Sequence, residues 1–599
     1  MNEETDPPQL AFSFWIIQAL LCVVGLFVFG SPLVRLADFR GVGSYTIQVV
    51  LLVGCWLALD GRLAERARWR FLLAGSATLF SCYVLLNCWM LSLSSTSLGR
   101  LAGHVLSSSM PAAHLREAGV SPGALGLAFV GLVGAFFLGG LAHARFSRWR
   151  LRRSVALVGW GVAACLAVGF VAEQWTRPPH YLARGLTLPA YLQLFGSGLS
   201  PAEVASSPTD KGPLPTLSPP VARPHVLFVL LESFGSDVLE HPTAAPVLRE
   251  LAGQSLDCSN ALTEGTDTHL SWQAIFLDRP SFELRAEPSP EGARVLRVFR
   301  SLGYEISISA STTMDWYAFD QRLAGASGTV VTRFAQFNQA GGPGFRHIAD
   351  EQATDELIEV IGNLGPQPAL LILQLDATHF AYDFHSEQAV VTPYMDPVEL
   401  TQLHYSQEAL NLLHARYLNS AHHVDRQIGR VLAALEAKGV REETAIVVVA
   451  DHGEEFSVGR VGHVALTQTT KRVPLLLSLP GVAPRKVTRL TSTPAIWPTL
   501  LEHLGVDLPP DLLRGASLLS PPREDAAVLT YSTLSQHAHL TTNEQIVQFY
   551  AERVNSRTLR LHPIGLTDRE GQPIAGWLDQ LREDDSWRRT LERLYPTTR

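Results

Sequence analysis

The stretch ALTEGTDTHLSWQAIF (261–276) sets Thr266 and Thr268 two positions apart, after Gly265 and before His269. Thr and Asp are also what a helix N-cap uses, so the string alone leaves a capped helix start and a nucleophilic hydroxyl equally open. A free threonine hydroxyl is a weak nucleophile at neutral pH and needs an adjacent base or a metal ion. Partners stand far away in the chain, each just past a short apolar run. Glu232 and Ser233 follow HVLFVLL (225–231), Asp376 to His379 follow ALLILQL (369–375), and Asp451, His452, Gly453 and Glu454 follow TAIVVVA (444–450). Any one of these carboxylates could be a chance helix cap, but three unrelated runs ending alike make that reading poor. Two carboxylates and an imidazole form a mixed oxygen and nitrogen set suited to zinc or manganese, with a position left for a hydroxyl.

Those runs must lie side by side for the set to converge. Short continuous apolar segments, including YEISISA (304–310) and VPLLLSL (473–479), alternate with helical patterns such as APVLRELAGQ (245–254) and the long 406–439 segment. This alternation predicts a doubly wound α/β sheet with buried, mostly parallel strands, whose ligands bind at the strand carboxyl ends. His422 and His423 fall in the long helical pattern, away from any strand end, and are expected to be solvated or packing residues. Glu454 and Glu455 are expected to orient the Asp451–His452 turn as hydrogen-bond acceptors.

Before residue 176 the composition changes. The chain is 599 residues long with 47% hydrophobic residues, more than a solvated globule carries. Apolar runs at about 10–30, 42–59, 71–93, 124–142 and 155–172 approach the roughly 20 residues that span a bilayer. The loops 61–70 and 144–153 carry four and five arginines, against two each in 31–43 and 95–122, which predicts a cytoplasmic N-terminus and everything after about Glu173 outside. The acidic start MNEETDPPQL is unlike a signal peptide. Residues 180–195 read as an amphipathic piece at the membrane surface, and the Pro-, Ser- and Thr-rich 206–224 as a linker. The expected organisation is a transmembrane domain over 1–175, an interfacial helix and linker over 176–224, and an exported domain over 225–599.

Composition also excludes functions. A net charge of -8 argues against nucleic-acid partners. None of the four lysines follows a glycine, so no P-loop exists; H-E-x-x-H does not occur, and G-x-S-x-G occurs only as GVSPG (119–123), at the border of an apolar run and not after a strand-like one as a nucleophile elbow requires. Only Cys258 lies outside the apolar runs, so the exported part is no intramolecular disulfide scaffold.

The combination of LESF (231–234), EGTDTHLS (264–271), ATHF (377–380) and VVADHGEE (448–455) followed by VGHV (461–464) resembles the alkaline phosphatase superfamily. The likeness is to its membrane-anchored sulfatase-fold branch, which includes lipoteichoic acid synthases, lipid A phosphoethanolamine transferases and YejM-like inner-membrane proteins. It implies about five transmembrane helices followed by an α/β sulfatase-like domain with a small C-terminal antiparallel sheet. By motif it implies one divalent ion, zinc or manganese, held by Glu232, Asp451, His452 and Thr268, with His379 and His463 near the transferred group. Gly265, Thr266, Thr268, Ser271 and Phe276 fit the transferases' G-T-x-T-x-x-S pattern, so Thr268 is the expected nucleophile and Thr266 a substrate-contacting or supporting residue. The implied activity is transfer of a phosphoglycerol or phosphoethanolamine group from a phospholipid to a glycan or lipid acceptor, at the outer face of a bacterial cytoplasmic membrane. The alternatives are a phosphoester or phosphodiester hydrolase and a non-catalytic lipid-sensing regulator. The transferases' disulfides have no counterpart here, and no C/S-x-P-x-R segment offers the formylglycine of true sulfatases.

Overall fold

The computed structural model describes residues 10–11, 67–94, 122–146, 150–151, 199–206, 214–283, 291–325, 328–337, 344–396, 398, 407–457, 460–509 and 512–596. The chain divides into two compact units, one from residues 1–104 and 118–200, the other from 105–117 and 201–599. The apolar runs beginning at Leu10, Val42 and Val155 lie outside the described residues apart from Leu10 and Ala11, as does the amphipathic piece at 180–195.

In the first unit the third and fourth apolar runs form helices, Ala67–Ser94 and Pro122–Phe146. They pack against each other through glycines. A Cβ on Gly139 would sit 2.1 Å from Thr78 Oγ1, and one on Gly140 or Gly75 would enter the rings of Phe71 or Phe136. Small residues let two helix backbones approach where side chains would hold them apart. The hydroxyls of Thr78 and Ser81 donate to the carbonyls of Ala74 and Ala77 one turn back, so neither polar group needs water. Val130, Phe137, Leu138 and Leu141 form an outward stripe, each at least half exposed. Among the described residues, no helix is long and apolar enough to cross a membrane.

The second unit is built on an eight-stranded sheet. Its order is Arg485–Val487, Leu256–Cys258, Leu475–Ser478, Thr444–Ala450, His225–Leu231, Ala369–Leu375, Glu305–Ala310 and Arg333–Gln336. The last five run parallel, and Leu475–Ser478 is antiparallel to both its neighbours. The three central strands, Thr444–Ala450, His225–Leu231 and Ala369–Leu375, are almost wholly apolar because both faces are covered. Leu227, Val229 and Leu231 join one core with residues of the Arg346–Gly362 and Gln407–Lys438 helices, while Val226, Phe228 and Leu230 join another with Trp272, Phe276 and Trp497. A five-stranded antiparallel sheet follows at the C-terminal end. Its fifth strand is Ala202–Ala205, paired with Thr558–Leu561. That strand precedes the stretch read as a linker, so the folded unit reaches further back than residue 225. The proline-rich composition around it hid it from a periodicity argument.

Register brings the chemistry together. Leu231 pairs with Ala450 on one side and Leu375 on the other, so three adjacent strands stop at one level. The ladder runs one bond further on each side, from Glu232 N to Leu375 O at 3.0 Å and from Asp451 N to Leu231 O at 3.1 Å. The residue after each strand therefore arrives at the same edge.

Candidate active site

Glu232, Asp451 and His452 form a buried triad whose donor atoms lie within 4.8 Å of one another. His452 Nε2 stands 3.6 Å from both Glu232 Oε1 and Asp451 Oδ2. Just past the strands the backbone must turn sharply. Ser233 adopts a left-handed conformation (φ 52°), and its amide donates to Asp451 Oδ1 at 2.9 Å. The Tyr417 hydroxyl, from the Gln407–Lys438 helix, donates to Ser233 O and accepts from Gly235 N, each at 2.8 Å. Gly453 is required after His452, because a Cβ there would lie 2.1 Å from Thr469 O and 3.0 Å from Gly235 Cα.

Thr268 opens the helix Thr268–Phe276, with Asp267 at the N-cap. Its hydroxyl donates to Glu232 Oε1 at 3.0 Å and lies 3.3 Å from His452 Nε2. The same helix fastens the triad from beneath. Ser271 Oγ donates to the Asp451 carbonyl at 2.6 Å, and the Trp272 indole N–H donates to Asp451 Oδ2 at 3.2 Å. Further back, Glu264 forms a two-pronged ion pair with Arg514 at 2.9 and 2.7 Å, and the Asp267 carboxylate accepts from Thr533 N and Oγ1. The Glu264–Thr268 loop is thereby tied to the C-terminal part of the unit.

Thr266 is placed otherwise than expected for a substrate contact. It is fully buried, its amide donates to Tyr531 O at 3.3 Å, and its hydroxyl has no hydrogen-bond partner. Thr268 alone of the two threonines is only partly buried and reaches the triad. His463 stacks on His452 with ring centres 4.1 Å apart, and Glu454 holds it by a 3.1 Å contact to Nδ1. Glu454 therefore orients His463 rather than the Asp451–His452 turn, and Glu455 bonds the Thr469 hydroxyl. His379 sits past the Ala369–Leu375 strand with Nδ1 2.9 Å from Phe380 O, close enough to His452 to disfavour its protonation. Trp272 and Tyr417 were not among the residues singled out from sequence, and Ser271 entered there only as part of the G-T-x-T-x-x-S pattern.

The electrostatics explain what the triad wants. Burial, and then the neighbouring Asp451, push the Glu232 carboxyl well above the usual carboxylate range. Burial likewise raises Asp451. Burial and the adjacent His463 hold His452 well below the usual imidazole range, so it is neutral. Among the described residues no lysine or arginine pairs with either carboxylate. Two packed carboxylates beside a neutral imidazole have only the His463 ring, which Glu454 holds toward its charged form, as a cationic neighbour, and a divalent ion reverses the penalty by favouring both charged forms. The donor set thus fits a divalent metal with open coordination.

A family model for sulfatases matches residues 224–506, the segment that carries the triad, Thr268, His379 and His463. Residues 224–506 form a sulfatase-family domain of the alkaline phosphatase superfamily. The curated relatives match only in part. Arylsulfatase K of Bos taurus is 29% identical over 122 residues, 20% of this chain and 22% of that protein. Lipoteichoic acid synthase 2 of Bacillus subtilis (strain 168) is 29% identical over 114 residues, 17% of this chain and 18% of that protein. The chain thus spans about a fifth of the length of each relative. Among solved structures, BT4656 in complex with its substrate D-glucosamine-2-N,6-O-disulfate superposes with a TM-score of 0.50 at 14% identity, covering 63% of this chain and 99% of that one. This shows a shared fold. Enzymes of this fold use a divalent metal, and the triad provides a place for one.

Proposed function

We propose that the sulfatase-family domain catalyses metal-assisted transfer of a phospho-alcohol group, phosphoglycerol or phosphoethanolamine, through an intermediate on Thr268. The observation that carries this reading is the position of the Thr268 hydroxyl, 3.0 Å from Glu232 Oε1 and 3.3 Å from His452 Nε2, on the helix N-terminus. Glu232, Asp451 and His452, with Thr268 itself, would hold one zinc or manganese ion. Bound there, such an ion stabilises the threonine alkoxide and polarises a phosphoryl oxygen. Thr268 attacks phosphorus in line, forming the threonine–phosphorus bond as the donor's alcohol leaves with a proton. His379 and His463 stabilise the charge on the phosphoryl oxygens. An acceptor hydroxyl then attacks the phosphothreonine diester from the opposite direction and restores the free threonine.

Threonine in the nucleophile position also separates this site from formylglycine chemistry, which needs Cys or Ser. Donor and acceptor follow from the setting proposed for the chain: a multi-pass anchor in a bacterial cytoplasmic membrane, the domain outside, a phospholipid as donor, and a glycan or lipid hydroxyl as acceptor. Arginine-rich loops at 61–70 and 144–153 and the outward apolar stripe Val130, Phe137, Leu138 and Leu141 support that setting. The test is turnover of a chromogenic phosphodiester and of labelled phospholipid by the full chain, with and without Asp451→Asn. Metal-dependent release of diacylglycerol with the phospho-alcohol group appearing on an acceptor, both abolished by the substitution, supports transfer; release of free phospho-alcohol without any acceptor product points to the hydrolase; turnover untouched by the substitution overturns the mechanism.

A further inference from the structure

A second cluster of imidazoles lies elsewhere in the domain. His423, from the middle of the Gln407–Lys438 helix, His347, from the first turn of the Arg346–Gly362 helix, and His385, from the loop after His379, meet with ring centres 4.4, 5.8 and 5.9 Å apart. Three imidazoles on one ion, each bonded at about 2.1 Å in a tetrahedral arrangement, place their ring centres roughly 5 Å apart. The three separations lie on either side of that value, so small ring rotations would reach it.

Each ring's outer contacts also suit ligation. His385 Nε2 lies 3.0 Å from Glu351 Oε1, and His423 Nε2 lies 3.1 Å from the His347 carbonyl. Metal-bound histidines commonly donate their second ring N–H to a carboxylate or a backbone carbonyl, which fixes the tautomer and leaves the other nitrogen for the ion. Here those contacts leave Nδ1 free on His385 and His423. The Nδ1 atoms of His347 and His423 are buried without a hydrogen-bond partner, and His423 is 1% exposed. A buried polar atom left unpaired costs stability and calls for an explanation. The Glu387 carboxylate, 3.8 Å from His385 Nδ1, stands at the open side. Burial holds both His347 and His423 below the usual imidazole range, in the neutral form that binds metal.

We propose that His347, His385 and His423 form a second metal site, for a borderline transition ion such as zinc, with Glu387 able to complete the coordination. Only Glu232, Asp451 and His452 have donor atoms all within 4.8 Å of one another among the described residues, so binding draws the three rings together by side-chain rotation. His385 lies on the 379–391 segment that also carries His379, and the ion would clamp this segment to both helices. The site is thus a structural clamp on the segment that carries His379, and it stands independently of the proposed phosphotransfer.

The experiment is cobalt binding by the full chain after chelator treatment, read as bound metal per chain and as the visible absorption of low-coordinate cobalt. Asp451→Asn removes the triad's ion and should leave about one cobalt, which the added change His385→Ala should remove. His347→Gln, at a half-buried position, serves as a second way of breaking the knot without a cavity. Cobalt retained by Asp451→Asn and lost with either histidine change supports the site. Cobalt content of Asp451→Asn that is zero, or that neither histidine change alters, overturns it. A wild-type chain binding one cobalt that His385→Ala abolishes would keep this site and sink the triad's.

Discussion

Thr268 Oγ1 lies 3.0 Å from Glu232 Oε1, although thirty-six residues separate the two in sequence. Thr266, two positions earlier, is fully buried and reaches no part of the triad. The division of labour between the two threonines is therefore geometric. Thr268→Ala should lower kcat for phosphodiester turnover by about 10³-fold or more, the scale for losing a covalent nucleophile. Thr266→Val, which removes a hydroxyl without partners at nearly constant volume, should leave kcat within about threefold. The reverse ranking in a steady-state assay would reassign the nucleophile.

The Trp272 indole N–H is bonded to Asp451 Oδ2 at 3.2 Å, beneath the metal-facing triad. Trp272→Phe keeps most of the packing and removes the donor. Loss of such an outer hydrogen bond typically weakens metal binding about 10–100-fold. Chelator competition on the full chain should show this shift with an intact fold; unchanged affinity would mean that Asp451 is positioned by its backbone contacts alone.

Gly453 has no room for a side chain, with Thr469 O 2.1 Å from where a Cβ would stand. Gly453→Ala should destabilise by about 2 kcal/mol or more through overpacking, and also displace His452. Thermal unfolding measures the first effect. A melting temperature equal to that of the wild type would show that the Thr469 loop yields freely.

His423 gives a pH signature. Burial, with help from His347 and His385, depresses its folded-state value to about 3 from the ordinary 6.5. The unfolded chain therefore takes up the proton first, and folding stability contributed by neutral His423 falls as pH drops from about 6.5 toward 3. The slope from one such group is at most about 1.4 kcal/mol per pH unit. Melting curves taken with chelator present should show a shallower acid loss in His423→Leu than in the wild type. Parallel curves would mean that this imidazole is protonated within the fold.

Much of the site was legible because a fully apolar run forces a buried strand, and buried parallel strands end at one edge. Glu232, Asp451 and His452 could be picked out for that reason, and equal strand register is what makes them meet. The support was not legible. Tyr417 reaches Ser233 across 184 residues, and the Trp272 ring reads as simple core until its N–H is seen facing Asp451. His423 looked like a packing residue because its partners His347 and His385 come from separate elements. The Ala202–Ala205 strand is four residues long and borders a proline-rich stretch, where alternation carries no signal. Of the five apolar runs, two form helices in the described residues, Ala67–Ser94 and Pro122–Phe146.

Transfer through Thr268 requires a covalent bond between its side-chain oxygen and phosphorus. Rapid acid quenching of the full chain during turnover, followed by peptide mass spectrometry of 261–276, tests it most directly. A phospho-alcohol adduct on Thr268 should form only with metal present and disappear in Thr268→Ala. Steady turnover with an unmodified Thr268 peptide, or an adduct on Thr266 instead, would contradict it.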